Sequence, residues 1–158
     1  MTEPSGQPTP CLACDLASGR VPLPGGQIHR TQHWVVEHTV GPLNVGTLIV
    51  KPIRHVVHVA DLTPEEASEL GPLLQETAGI VSNLTAADQV YVCLWSHADR
   101  VPGHIHFVVQ PVSTDDMDRF GAYGPALQMA MFEADELPDE FEVVAFARKA
   151  AGRFRDRS

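Results

Sequence analysis

Apolar and polar positions along the chain follow two periods, and the changes between them mark the elements. "HWVVEH" (33–38), "TLIVKP" (47–52), "QVYVCLW" (89–95) and "HIHFVVQ" (104–110) are short runs rich in β-branched and aromatic residues. They read as four strands, with shorter pieces around 28–32 as edge strands. "SGRVPLPGG" (18–26), "GPLNVG" (41–46) and "SHADRVPG" (96–103) read as loops and turns. "TPEEASELGPLLQETAGIVSNL" (63–84) follows the helical period instead, with Leu70, Leu73, Leu74, Ala78, Val81 and Leu84 on one face. Thr63 is the predicted N-cap, Pro64 suits the first helical position, and Glu66 completes a capping box. Gly71 and Pro72 weaken the early helix. Two more helices are expected, over roughly 123–134 and 138–155; the second ends in the basic run "RKAAGRFRDR", which suits a helix C-terminus. Strands joined by loops, with one long helix between strand pairs, predict an α+β fold with an antiparallel sheet.

The bulk numbers narrow the class. A chain of 158 residues holds one domain with a real core and is too short for two comfortable ones. A net charge of −9 and a pI near 5.2 argue against broad electrostatic binding to nucleic acid or anionic membranes. A small anionic ligand is still compatible, held in a local pocket by backbone amides and imidazoles. No stretch approaches the roughly 20 apolar residues of a membrane-spanning helix. "MTEPSGQPTP" lacks the basic and apolar regions of a secretory signal, so residues 1–10 read as a mobile tail and the cytoplasm as the compartment.

Chemistry enters with cysteine and histidine. Three cysteines do not make a paired disulfide framework. Cys11 and Cys14 form a CxxC, which in a reducing compartment reads as metal or redox first, with two plain structural thiols as the alternative. A redox pair needs a core strand before it and a helix after it; here a Pro-rich tail precedes it. Zinc takes four soft or borderline ligands, often two Cys and two His. Histidines 29, 33, 38, 55, 58, 97, 104 and 106 are all available, and spacing does not choose among them. In a strand, His104, His106 and Val108 share one face, while Ile105, Phe107 and Val109 share the other, which is apolar and expected to be core. Two imidazoles at this spacing, after Pro102-Gly103, point to a site.

Taken together, "CLACDLASGRVP", "GTLIVKPIRHVVHVADLTPEE" and "GHIHFVVQP" resemble three consecutive blocks of the histidine triad (HIT) family, of the zinc-binding Hint-like type with a degenerate triad. The resemblance runs from Cys11 to Pro111. It implies a HIT domain over 11–112, a helical extension over 113–158 packed on the same domain, and a homodimer. The apolar helix face and Trp34 or Trp95 could serve that interface, but equally the core. It implies a structural zinc on Cys11, Cys14, His55 and His104, with His58 as the rival ligand to His55. It implies His106 as nucleophile, with His104 beside it, toward the α-phosphate of a nucleotide conjugate: a phosphoramidate, a dinucleoside polyphosphate or a nucleotidyl ester. Substrate contacts would come from Ser96, His97, Arg100, Gly103 and His38.

The departures from the family pattern lie in the pocket. Val108 replaces the third triad histidine, and Arg100 and Val101 replace Gln and Ser. His38 and Thr39 stand in the neighbourhood of the ribose-binding acid, and Trp95 and Ser96 end a strand that is Asn-rich in the family. Two readings follow. One is an enzyme with altered substrate contacts. The other is a HIT-fold protein that binds a nucleotide or a partner without turnover.

Overall fold

A computed structural model describes residues 10–96 and 103–157. Five strands form one antiparallel sheet in the order β1-β2-β3-β5-β4: β1 is Gln27–Arg30, β2 Trp34–His38, β3 Leu48–Pro52, β4 Gln89–Trp95 and β5 His106–Val112. Helices α1 (Leu12–Ala17), α2 (Pro64–Leu84), α3 (Thr114–Phe120), α4 (Gly124–Glu133) and α5 (Glu140–Arg155) complete an α+β fold. Among the described residues, no helix is long and apolar enough to cross a membrane.

α2 starts where its capping chemistry puts it. The Glu66 N–H donates to Thr63 Oγ1 at 3.1 Å, and the Thr63 N–H donates to Glu66 Oε2 at 2.8 Å. Two backbone donors that lack helical partners are thereby satisfied. The helix runs on through Gly71 and Pro72 to Leu84. Beyond the capping Glu66, its buried positions are Leu73, Thr77, Ile80 and Val81, with Leu70, Leu74, Ala78 and Leu84 partly buried beside them. Thr77 tolerates burial because its hydroxyl donates to the Leu73 carbonyl at 2.7 Å.

Alternation gives the sheet two faces. On one, Trp34, Val36, Leu48, Val50 and Val109 meet α2 and the buried stripe Val143, Phe146, Ala147, Ala150 and Phe154 of α5. Trp34 is fully buried there, and its indole N–H donates to the Glu66 carbonyl at 2.9 Å, so it serves the core. On the other face, Val108 and Val112 meet Leu43 and residues Leu127 and Met131 of α4. Burial of both faces explains why β5 reads as a nearly continuous apolar run.

Three local expectations shift. The strand expected from 104 begins at His106, because the Ile105 N–H donates to the Val56 carbonyl outside the sheet. α1 and α3 were not expected. α3 begins with a Ser113/Asp116 capping box, a signal that the sequence does carry. The β2–β3 connection turns at Gly46, with φ of 93°; a Cβ there would come within 2.9 Å of Thr85 and 3.1 Å of Phe146, so only glycine fits.

Candidate functional site

Two constellations meet at one edge of the second face. Cys11 caps α1, accepting the Cys14 N–H on its sulfur at 3.4 Å, so one short helical turn brings both thiols together. His55 follows β3, and His104 precedes β5. The potential ligand atoms of Cys11, Cys14, His55 and His104 lie within 4.8 Å of one another. Cys14 Sγ is 3.4 Å from His55 Nδ1 and 3.4 Å from His104 Nδ1, and Cys11 Sγ is 3.7 Å from His104 Nδ1. The other nitrogen of His104, Nε2, donates to the Pro52 carbonyl at 2.8 Å, which turns the lone pair of Nδ1 toward the sulfurs. Burial pushes the His104 imidazole down to about 4, so it is neutral at pH 7. Burial, with Cys11 beside it, pushes the Cys14 thiol up to about 11. His58 is exposed, ahead of a short 3₁₀ turn, and is not in this cluster.

His106 is the first residue of β5, and its ring lines a cavity of about 390 Å³. The His106 Nδ1–H donates to the His104 carbonyl at 3.0 Å. That bond fixes the tautomer and makes Nε2 the nitrogen that carries the lone pair. Much of the cavity wall is apolar: Leu43, Ile49, Val108, Trp95 and Phe132 contribute, the last two with rings packed edge to face at 5.5 Å. Gly103 and His104 also line it.

The remaining residues expected at the site divide. His38 borders the cavity, but both of its ring nitrogens are committed to backbone. Its Nδ1–H donates to the Thr39 carbonyl at 2.9 Å, and the Gly46 N–H donates to its Nε2 at 2.9 Å. The ring lies edge-on to Phe146, on the α5 side of the sheet. His38 therefore braces the turn between β2 and β3 through both ring nitrogens while it borders the cavity. Ser96 is exposed at the end of β4 and does not line the cavity. His97 and Arg100 lie outside the described residues.

Parity instead turns Glu37 and Lys51 into the cavity, and sequence reasoning missed both. β2 and β3 pair Val35 with Lys51 and Glu37 with Ile49, so these side chains share the face of Val108. Glu37 and Lys51 form an ion pair and are 2% and 1% exposed. Burial pushes the Glu37 carboxyl above its ordinary value, against the pull of Lys51. The available signal was the alternation of "WVVEH", in which Glu37 is the one polar residue facing opposite to His38.

No family model matches the chain, and no curated protein matches it either. Solved structures do. A hypothetical histidine triad nucleotide-binding protein from Sulfolobus tokodaii superposes with a TM-score of 0.70 at 13% identity, over 92% of this chain and 93% of that one. A zinc-bound histidine triad family protein from Mycobacterium smegmatis gives 0.68 at 21% identity, over 94% and 97%. A HIT-like protein involved in cell-cycle regulation from Bartonella henselae gives 0.66 at 15% identity, over 88% and 92%. These likenesses show that the chain has the histidine triad fold.

Proposed function

We propose that the protein is a HIT-type nucleotide hydrolase or nucleotidyl transferase that acts on the α-phosphate of a nucleotide conjugate. The observation that carries this reading is the His106 ring on the cavity wall, with Nδ1–H bonded to the His104 carbonyl. Nε2 would attack phosphorus, forming a P–N bond as the bond to the leaving group breaks with its electron pair. Water, or another acceptor, would then cleave the nucleotidyl-histidine and return the ring to its neutral form. The fold supports the reading, as does the description of the Sulfolobus relative as nucleotide-binding.

We place zinc in the Cys11, Cys14, His55 and His104 cluster. With ordinary Zn–S and Zn–N lengths, a tetrahedral site has sulfur–nitrogen edges of about 3.6 Å. Three of the four sulfur–nitrogen separations are 3.4, 3.4 and 3.7 Å and fit that shape, and all four ligand atoms lie within 4.8 Å of one another. A bound cation would hold the thiols as thiolates and tie the N-terminal turn to the entry of β5. A reducing cytoplasm keeps such cysteines available to metal. The reading includes a homodimer: β4 is an edge strand with Val92 and Leu94 exposed, and solution mass tests it.

The test is turnover of an AMP phosphoramidate, a diadenosine polyphosphate and a nucleotidyl sugar, by wild type and His106→Ala. Activity in the wild type that the variant lacks supports the enzyme. Val108 favours the second reading, a binder without turnover, because it gives the cavity an apolar group where the resemblance implies a polar ring near the phosphate. Equal near-zero rates, with nucleotide binding intact, would establish that reading instead.

A further inference from the structure

The cavity contains a buried ion pair whose stabilising value is poor. Among the described residues that line it, Lys51 is the sole Lys or Arg and Glu37 the sole Asp or Glu. Lys51 reaches Glu37 Oε1, while Glu37 Oε2 is buried and, among the described residues, has no hydrogen-bond partner. A half-satisfied buried pair stabilises a fold less than a well-packed apolar pair of the same volume. An ammonium has three donors, and Glu37 is its sole hydrogen-bond partner among the described residues. The position of the pair is informative. β3 and β5 pair Leu48 with Val109, Ile49 with Val108 and Val50 with Phe107. Lys51 and His106 each lie one residue beyond the last of these pairs, on the face of Ile49 and Val108, and both line the cavity.

We propose that Lys51 is a catalytic residue that contacts the non-bridging oxygens of the phosphate attacked by His106. It supplies from β3 the polar contact that Val108 does not supply from β5. Glu37 is its positioning residue: it takes one ammonium N–H and aims the others into the cavity. The inference rests on the nucleotidyl-transfer reading and specifies how that site holds its anion. A desolvated ammonium is well suited to negative charge that grows at phosphorus in the transition state.

The experiment compares wild type, Lys51→Met, Lys51→Arg and the double variant Glu37→Gln/Lys51→Met. The double variant removes both charges, so it remains usable where the single change leaves Glu37 unpaired and the fold unstable. Calorimetry measures AMP against adenosine, and kinetics measures kcat on the phosphoramidate. The expected result is AMP binding weakened by about 10- to 100-fold with adenosine unchanged. A kcat loss on the order of 10² and partial rescue by arginine are expected with it. An unchanged AMP-to-adenosine ratio in the folded single or double variant overturns the role of Lys51, while His106-dependent turnover by wild type leaves the underlying reading intact. Wild type that binds neither ligand and turns over no conjugate overturns both.

Discussion

The two faces of the sheet are made of the same five strands and do different work. The α2/α5 face is apolar almost throughout, closed by Leu73, Ile80, Val81, Phe146 and Phe154. The opposite face is covered only in part, by α4, and beside that cover lie His106, Lys51, Glu37 and a cavity. One face can be optimised for packing alone because nothing has to enter it. The other keeps buried charge and open volume, both of which cost stability. Alternation lets adjacent residues serve these opposite ends: Val36 is core, Glu37 faces the cavity, and His38 returns to the core side.

Changes on each face should therefore separate stability from activity. The largest effect expected is on the cavity side, where His106→Ala lowers turnover by on the order of 10³ or more. Its thermal midpoint should stay near wild type; a large drop would mean that the ring is structural. On the packed face, Ile80→Ala should cost about 2–5 kcal/mol in denaturant unfolding. Its kcat per folded molecule should not change, and a parallel loss of kcat would show that the faces are coupled. At the junction, Cys14→Ser should weaken metal binding by at least about 100-fold, because a ligand loss exceeds a loss in the surrounding hydrogen bonds. Metal analysis should then show zinc in wild type and none in the variant, and a chelator should lower the wild-type midpoint alone. Equal metal content in both would remove zinc from this cluster.

The smallest effect belongs to the start of α2. The Arg54 guanidinium, and then the Thr63 N–H, hold the Glu66 carboxyl below its ordinary value of 4.5. A depressed folded-state pKa stabilises the protein above that ordinary value, and the contribution is lost as pH falls below 4.5 through the folded value. Glu66→Gln keeps an amide oxygen for the Thr63 N–H but loses the charge that pairs with the half-exposed Arg54, so it should cost about 0.2–1 kcal/mol at neutral pH. The gap to wild type should close in acid. A gap that persists at about pH 3 would assign the effect to packing rather than to ionisation.

Local signals proved the most legible. The Thr63, Pro64 and Glu66 pattern states its own hydrogen bonds, so α2 could be placed to within a residue from sequence. α5 ends in the basic run expected of a helix C-terminus, with Arg153 and Arg155 in its last turn. The Ser113 and Asp116 capping box was equally local and was overlooked, so α3 was missed. The cysteine pair was visible as a ligand source, but resemblance rather than spacing selected His55 and His104 as its partners. Their approach spans separations of 41 and 90 residues from Cys14, which no local pattern encodes.

Sequence by itself determined the periods, the caps and the two-faced strands, because these depend on neighbours a few residues away. It therefore determined an α+β chain with a histidine pair set apart from the core. Only the tertiary structure decided which face of β2 looks into the cavity, since that depends on where α4 and α5 pack. That choice tied both ring nitrogens of His38 to backbone and brought Glu37 and Lys51 to the cavity. It also decided that His104 leaves the strand to join the cysteines, because the Ile105 N–H bonds to Val56 rather than to the sheet.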